Sequence, residues 1–183
     1  MRTPSAVLLA LCCAAGLLGG CAPAAPAAPP PAAPRPSYPL PPRPVRPGEK
    51  PLVTATGQQG DTRFTLIGLS SLSEIIGSHA EWEPKGRFVR VRLVVENVGR
   101  SGVDFDTKAQ QLVTADGLAH DVDPQAMLIK RQPGEFALGA AVRLEFDLYY
   151  DVPVGAVPVA LRVRGGDTLA GTSDPEHVDV PLR

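Results

Sequence analysis

Apolar and polar residues alternate with a period of two through most of the C-terminal part of the chain. In Phe88-Val89-Arg90-Val91-Arg92-Leu93-Val94-Val95-Glu96, the set Val89, Val91, Leu93 and Val95 points one way, and Arg90, Arg92 and Glu96 point the other. That is the pattern of a half-buried strand. The run from Val142 to Tyr150 repeats it, with Val142, Leu144, Phe146, Leu148 and Tyr150 expected inward and Arg143, Glu145, Asp147 and Tyr149 outward. Val159, Leu161 and Val163 form a third set against Ala160, Arg162 and Arg164. Shorter strands are expected over residues 52–56, 63–69, 111–114, 118–122 and 177–182. Asp116-Gly117 between two of them signals a hairpin, Asn97-Val98-Gly99 ends the Phe88 strand with turn chemistry, and Pro153 and Pro158 bound a further turn. Residues 70–76 suggest a single helical turn capped by Ser71 or Ser73; no helix longer than two turns is expected. About eight short strands separated by turns predict an all-β fold, an immunoglobulin-like antiparallel β-sandwich. Its expected core is Val89, Val91, Leu93, Val95, Leu144, Phe146, Leu148, Leu161 and Val163.

The N-terminal part has none of this periodicity. Residues 1–21 read MRTPSAVLLALCCAAGLLGGC: a positive start, an apolar run and small residues at its end. The apolar run is shorter than the roughly 20 residues a spanning helix needs, and the arrangement is that of a secretory signal. Leu18-Gly19-Gly20-Cys21 resembles the lipobox of bacterial lipoproteins. The resemblance implies cleavage after Gly20, diacylglycerol on the Cys21 sulfur, and anchoring to membrane lipid. Cys12 and Cys13 then leave with the signal, so the mature chain keeps one, capped, cysteine. From Ala22 to Pro51 the chain holds 13 of its 21 prolines. Proline removes backbone donors and fixes φ, which favours an extended polyproline II spacer of up to about 90 Å. Docking of its Pro36-Ser37-Tyr38-Pro39 or Pro41-Pro42-Arg43-Pro44 segments to a partner is the competing reading. The expected organisation is a signal peptide over 1–20, a lipidated cysteine and Ala/Pro-rich spacer over 21–51, and a sandwich over 52–183.

Charge narrows the partners. The 183-residue chain has a net charge of −1, which argues against a dedicated nucleic-acid binder. The spacer is basic, with Arg35, Arg43, Arg46 and Lys50 against Glu49, while residues 52–183 carry 13 basic and 18 acidic groups. The spacer is thus suited to anionic lipid head groups or wall polymers, unless its arginines serve only solubility.

The chain offers little catalytic chemistry. It has no Gly-x-Ser-x-Gly, and its histidines, His79, His120 and His177, are isolated in sequence. No enzyme, cofactor or metal site is expected. Asp104/Asp106 and Asp121/Asp123 each place two carboxylates on one side of an extended chain, a donor type suited to calcium; the alternative is turn formation. Trp82, the single tryptophan, either plugs the end of the core or stands exposed as a binding anchor. It lies in the irregular stretch 70–84, where a ligand surface is expected; Tyr149 is the second candidate.

The stretch Gly86-Arg87-Phe88-Val89-Arg90-Val91-Arg92-Leu93-Val94-Val95-Glu96-Asn97-Val98-Gly99 resembles the central "strand, Glu-Asn-x-Gly" signature of a bacterial telokin-like family. Residues 111–117 and 144–155 resemble two further segments of that family, the latter loosely. The resemblance implies immunoglobulin-like domains of unassigned activity, common in lipoproteins, and brings no catalytic residue. The expected function is a membrane-anchored, extracytoplasmic lipoprotein whose non-catalytic domain meets an envelope protein or wall polymer. Outer-membrane placement is open if the envelope is Gram-negative, since Ala22 is not the aspartate linked with inner-membrane retention. The alternative is a lipoprotein that carries a small ligand or calcium to a membrane complex.

Overall fold

The computed structural model of the protein describes residues 45–52, 55–168 and 176–183. The expected signal, Gly20, Cys21 and the spacer's proline motifs lie outside these residues. The strands are β1 (Lys50–Pro51), β2 (Thr56–Gln59), β3 (Thr62–Leu72), β4 (Ile75–Ile76), β5 (Glu81–Trp82), β6 (Arg87–Asn97) and β7 (Val103–Asp106). They continue with β8 (Gln111–Thr114), β9 (Ala119–His120), β10 (Glu135–Leu138), β11 (Arg143–Val152), β12 (Pro158–Val163), β13 (Asp167–Thr168) and β14 (Val178–Pro181). A 3-10 turn at Thr107–Ala109 and a short helix α1 (Pro124–Ile129) complete the described elements.

Every pairing between these strands is antiparallel. One sheet runs β1-β3-β6-β11, with β2 also on β3; the opposite layer is divided between β14-β12-β8-β9 and β10-β7-β13. The two long pairings fix the frame: β11 meets β6 from Arg143↔Glu96 to Val152↔Arg87, and β3 meets β6 from Thr62↔Asn97 to Leu72↔Phe88. Val91, Leu93 and Val95 of β6 and Leu148 and Tyr150 of β11 are fully buried, facing Leu112, Leu161 and Val163 of the other layer within one cluster. Phe105 of β7 ties the layers together, with its ring centroid 6.0 Å from Phe64, 5.3 Å from Phe136 and 6.2 Å from Phe146. This is the expected all-β sandwich, and period-two alternation built it, since each strand has one face to hide.

Buried glutamines hold the sheets together, Gln110 between the two sheets of one layer and Gln59 across the layers. The Gln110 amide donates to the carbonyls of Asp106 (2.9 Å) and Arg164 (3.0 Å) and accepts from Arg164 N (3.0 Å). Gln59 accepts from Gly165 N and donates to Glu176 O. The free edge of β11 is partly covered too: Asp147 N donates to Gln132 Oε1 at 2.8 Å, and Asp123 N donates to Tyr149 O at 2.7 Å.

Several expectations fail locally. Residues 70–76 form no helical turn; β3 continues to Leu72 because it stays paired with β6, with Ser71 opposite Val89, and Ser73 lies in the bend that follows, so neither serine caps a helix. Val142 is 49% exposed and Leu144 38% exposed, not inward. They stand at the open end of the sheet, Val142 in the turn before β11. Val159 is also exposed. Conversely, α1 was not expected. Its signal was present in Asp123-Pro124: Asp123 Oδ1 accepts from Ala126 N at 2.7 Å, and proline occupies the first turn, the favoured start of a helix.

Candidate functional site

The face of β3-β6-β11 that points away from the core carries Arg90, Arg92, Glu145, Asp147 and Tyr149. Alternation assigns these to solvent, yet Arg92 is 4% exposed, Asp147 5% and Tyr149 2%. The cover is the stretch just before Leu52. A turn closed by Glu49 N to Arg46 O (3.0 Å) lays Arg46 and Glu49 across the sheet. Glu49 meets Arg92 in a two-point pair, Nε to Oε1 at 3.1 Å and Nη2 to Oε2 at 2.7 Å. Arg92 Nη1 also donates to Glu145 Oε1 at 3.1 Å, and Arg46 Nη1 donates to Asp147 Oδ2 at 2.6 Å. The bulge after Leu66 sets Gly68 opposite Arg92. A Cβ there would lie 2.2 Å from Glu49 Cδ, so glycine makes the room for the carboxylate.

Electrostatics follow from this cover. Burial pushes the Glu49 carboxyl up, but the Arg46 N–H and the Arg92 guanidinium outweigh it, and the group titrates below its usual range. Burial, with the Asp147 charge beside it, pushes the Tyr149 phenol up to about 12. Tyr149 is therefore not the outward contact that alternation assigns it to be. Trp82 is 40% exposed at the edge of the β4-β5 hairpin, and its indole N–H donates to Asp123 Oδ2 at 3.3 Å. It remains accessible in part and touches the cap of α1.

Three carboxylates of the acidic pairs hold local structure. Asp106 accepts from Lys108 N at the 3-10 turn, Asp123 caps α1, and Asp121 accepts from Gln111 Nε2 at 2.8 Å. Among the described residues no three His, Cys, Asp or Glu side chains gather closely enough to hold a metal ion. His79 and His177 are exposed. His120 joins a constellation with the residue types of nucleophilic catalysis: Thr114 Oγ1 lies 3.0 Å from His120 Nε2 and donates to Asp116 Oδ1 at 2.6 Å. The same hydroxyl lies 3.1 Å from the Leu118 carbonyl oxygen, across the hairpin turn. Thr114 is 1% exposed, and Leu118 N also donates to Asp116. The cluster fastens the hairpin turn.

A cleft of about 690 Å³ is lined by Lys108, Asp121, Val122, Met127, Leu128 and Pro133. Its size suits a small ligand. Sequence reading missed it because α1, which forms one wall, was missed.

The residues that carry the sequence resemblance have structural tasks. Asn97 is fully buried; its amide donates to Ser101 O (2.7 Å) and Leu138 O (2.8 Å), and its oxygen accepts from Gly99 N (2.9 Å). A Cβ at Gly99 would meet Asp61, and one at Gly86 would stand 2.1 Å from the Val152 carbonyl oxygen. Strand, buried asparagine and close-packed glycine define a class of β-sandwich domain. Over residues 53–173, more than half of its length, the chain matches the family described as a domain of unknown function, DUF4352, and it belongs to that family. No curated protein matches the chain. Among solved structures, the yjhA protein of Bacillus subtilis is similar at 12% identity and a TM-score of 0.50, over 73% of this chain and 99% of that one. This likeness supports the sandwich fold. The candidate lipoprotein ycdA of Bacillus subtilis aligns at 16% identity and a TM-score of 0.47, over 69% of this chain and 38% of its own. The secreted protein MPT63 of Mycobacterium tuberculosis aligns at 19% identity and a TM-score of 0.45, over 58% and 77%.

Proposed function

We propose that the protein is a lipid-anchored, extracytoplasmic envelope component whose β-sandwich is a non-catalytic interaction domain. The observation that carries this reading is Leu18-Gly19-Gly20-Cys21 followed directly by the proline-rich stretch. A thiol is readily alkylated as the thiolate, and an extended spacer sets a domain away from the bilayer surface. The partner is an envelope protein or wall polymer, and Trp82, half in solvent at a hairpin edge, is its proposed contact. The first test is mass spectrometry of the mature N-terminus together with membrane fractionation of a Cys21→Ser variant. A diacylglyceryl-modified Cys21 and loss of the variant from membranes are expected; an unmodified cysteine in a soluble protein overturns the anchor. Crosslinking from intact envelopes, wild type against Trp82→Ala, tests the contact: equal recovery of the same partner removes Trp82 from it.

The cleft beside α1 favours a second reading, delivery of a small ligand to a membrane complex. Native mass spectrometry of protein gently extracted from its own membrane separates the two. A bound mass near one per chain supports the carrier, and an empty chain removes it.

A further inference from the structure

The polar sheet face and its cover form a device that the interaction reading does not use. Three features distinguish the stretch 46–51 from the strands around it. Its backbone hold is brief: β1 contributes two register pairs, Lys50↔Leu69 and Pro51↔Gly68, and Pro47 and Pro51 have no N–H to donate. Its side-chain hold is ionic, through Arg46 to Asp147 and Glu49 to Arg92. What it covers is polar: Arg90, Arg92, Glu145, Asp147 and the Tyr149 phenol.

These features bear on how the stretch lets go. Opening a sandwich core exposes apolar area, and water opposes that in proportion to area. Lifting 46–51 gives charged groups back to water, which recovers the solvation lost on burying them. Such a segment belongs to the low-stability end of a fold and opens as a local unit before the global one. The next residues resist more strongly, since Leu52 and Ala55 are buried in the apolar cluster and continue the β3 pairing through Leu52 N to Ile67 O and Leu66 N to Ala55 O.

We propose that residues 46–51 are a clasp between tether and sandwich, which tension on the N-terminal side releases before the sandwich unfolds, baring the Arg90–Arg92–Glu145–Asp147–Tyr149 face. The clasp rests on the structure alone; its loading by a membrane anchor rests on the lipid-anchored reading. Among the described residues, a pull from the N-terminal side meets Arg46–Asp147 first, then Glu49–Arg92, then the two pairs of β1.

The test is force spectroscopy on the mature full chain, held by ligated handles at residue 21 and Arg183. Six residues extend at most about 20 Å, so a reversible lengthening of that order is expected below the force of the main rupture. Joining the register partners with Lys50→Cys and Leu69→Cys confines the release to residues 46–49 when oxidised, which shortens the step to about 13 Å, and reduction restores its full length. Glu49→Gln moves the step to lower force. Rupture of the wild type in one event, or a step whose length the oxidised lock leaves unchanged, overturns the clasp. A step unmoved by Glu49→Gln overturns the ionic hold. These outcomes are independent of the lipid found on Cys21, so failure of the anchor and failure of the clasp are distinguishable.

Discussion

Replacing Asn97 with alanine removes three hydrogen bonds from a side chain with no exposed surface. The bond to Leu138 O is itself buried, while those involving Ser101 O and Gly99 N have partial access to water. A buried polar group left without a partner costs roughly 1–3 kcal/mol, and a partly wet one less. Counting the first in full and the others in part gives about 3 kcal/mol. With a urea m-value near 2 kcal/mol/M, that is a fall of about 1.5 M in the unfolding midpoint. The Asn97→Asp variant sharpens the prediction because shape is kept and only the donor is lost. One oxygen can still accept from Gly99, but the other faces two carbonyl oxygens. The carboxylate form is then disfavoured, and the variant's folded pKa rises above the unfolded value of about 3.9. A group raised in this way contributes fully below its unfolded pKa and loses that contribution as pH rises through its folded pKa. Asn97→Asp is therefore expected to be less stable than Asn97→Ala at pH 7 and to recover towards pH 4, where a protonated oxygen can donate to one carbonyl. Urea unfolding of both variants between pH 4 and pH 7 checks this. Wild-type stability of Asn97→Asp at pH 7 would refute the assignment of the two donated bonds.

The aromatic junction is the next place to press. Phe105→Ala empties the site that three other rings surround, and a loss of about 3–5 kcal/mol is expected by calorimetry; a loss near 1 kcal/mol would show that Phe105 is not the link between the layers. Glu49 gives an acid-limb prediction. Its folded carboxyl titrates below the usual range, so its contribution is present above the unfolded pKa of about 4.3 and is lost as pH falls through the lower folded value. The stability gap between wild type and Glu49→Gln should therefore narrow between about pH 4 and pH 2 in thermal melts followed by circular dichroism. A gap independent of pH contradicts the buried pair.

Legibility in the sequence tracks how local the cause is. β6 and the middle of β11 were readable because alternation alone decides which side hides, and Asp116-Gly117 marked its hairpin because the turn needs a positive φ, which Gly117 supplies at 83°. Val142 and Leu144 carry the same alternation but lie where the opposite layer gives no cover, and that depends on distant strands. Tyr149 went astray for the converse reason. Alternation places it correctly on the polar face of β11, but a segment about a hundred residues earlier in the chain folds over that face, and nothing near Tyr149 announces it. In the candidate site, Trp82 stood out as the single tryptophan, with core plug and exposed anchor both open; its exposure and its bond to the cap of α1 depend on a helix whose Asp-Pro start was read as part of an acidic pair.

The loop around α1 has a consequence for molecules held side by side. A sheet ending in a bare strand is a template on which a neighbouring copy can add its own. β11 is such a terminal strand, ten residues long, but the Asp147 amide and the Tyr149 carbonyl are already occupied by Gln132 and Asp123. A crowded lawn of these domains thus meets a rim interrupted at its middle instead of an unbroken ladder, which disfavours self-association into fibres.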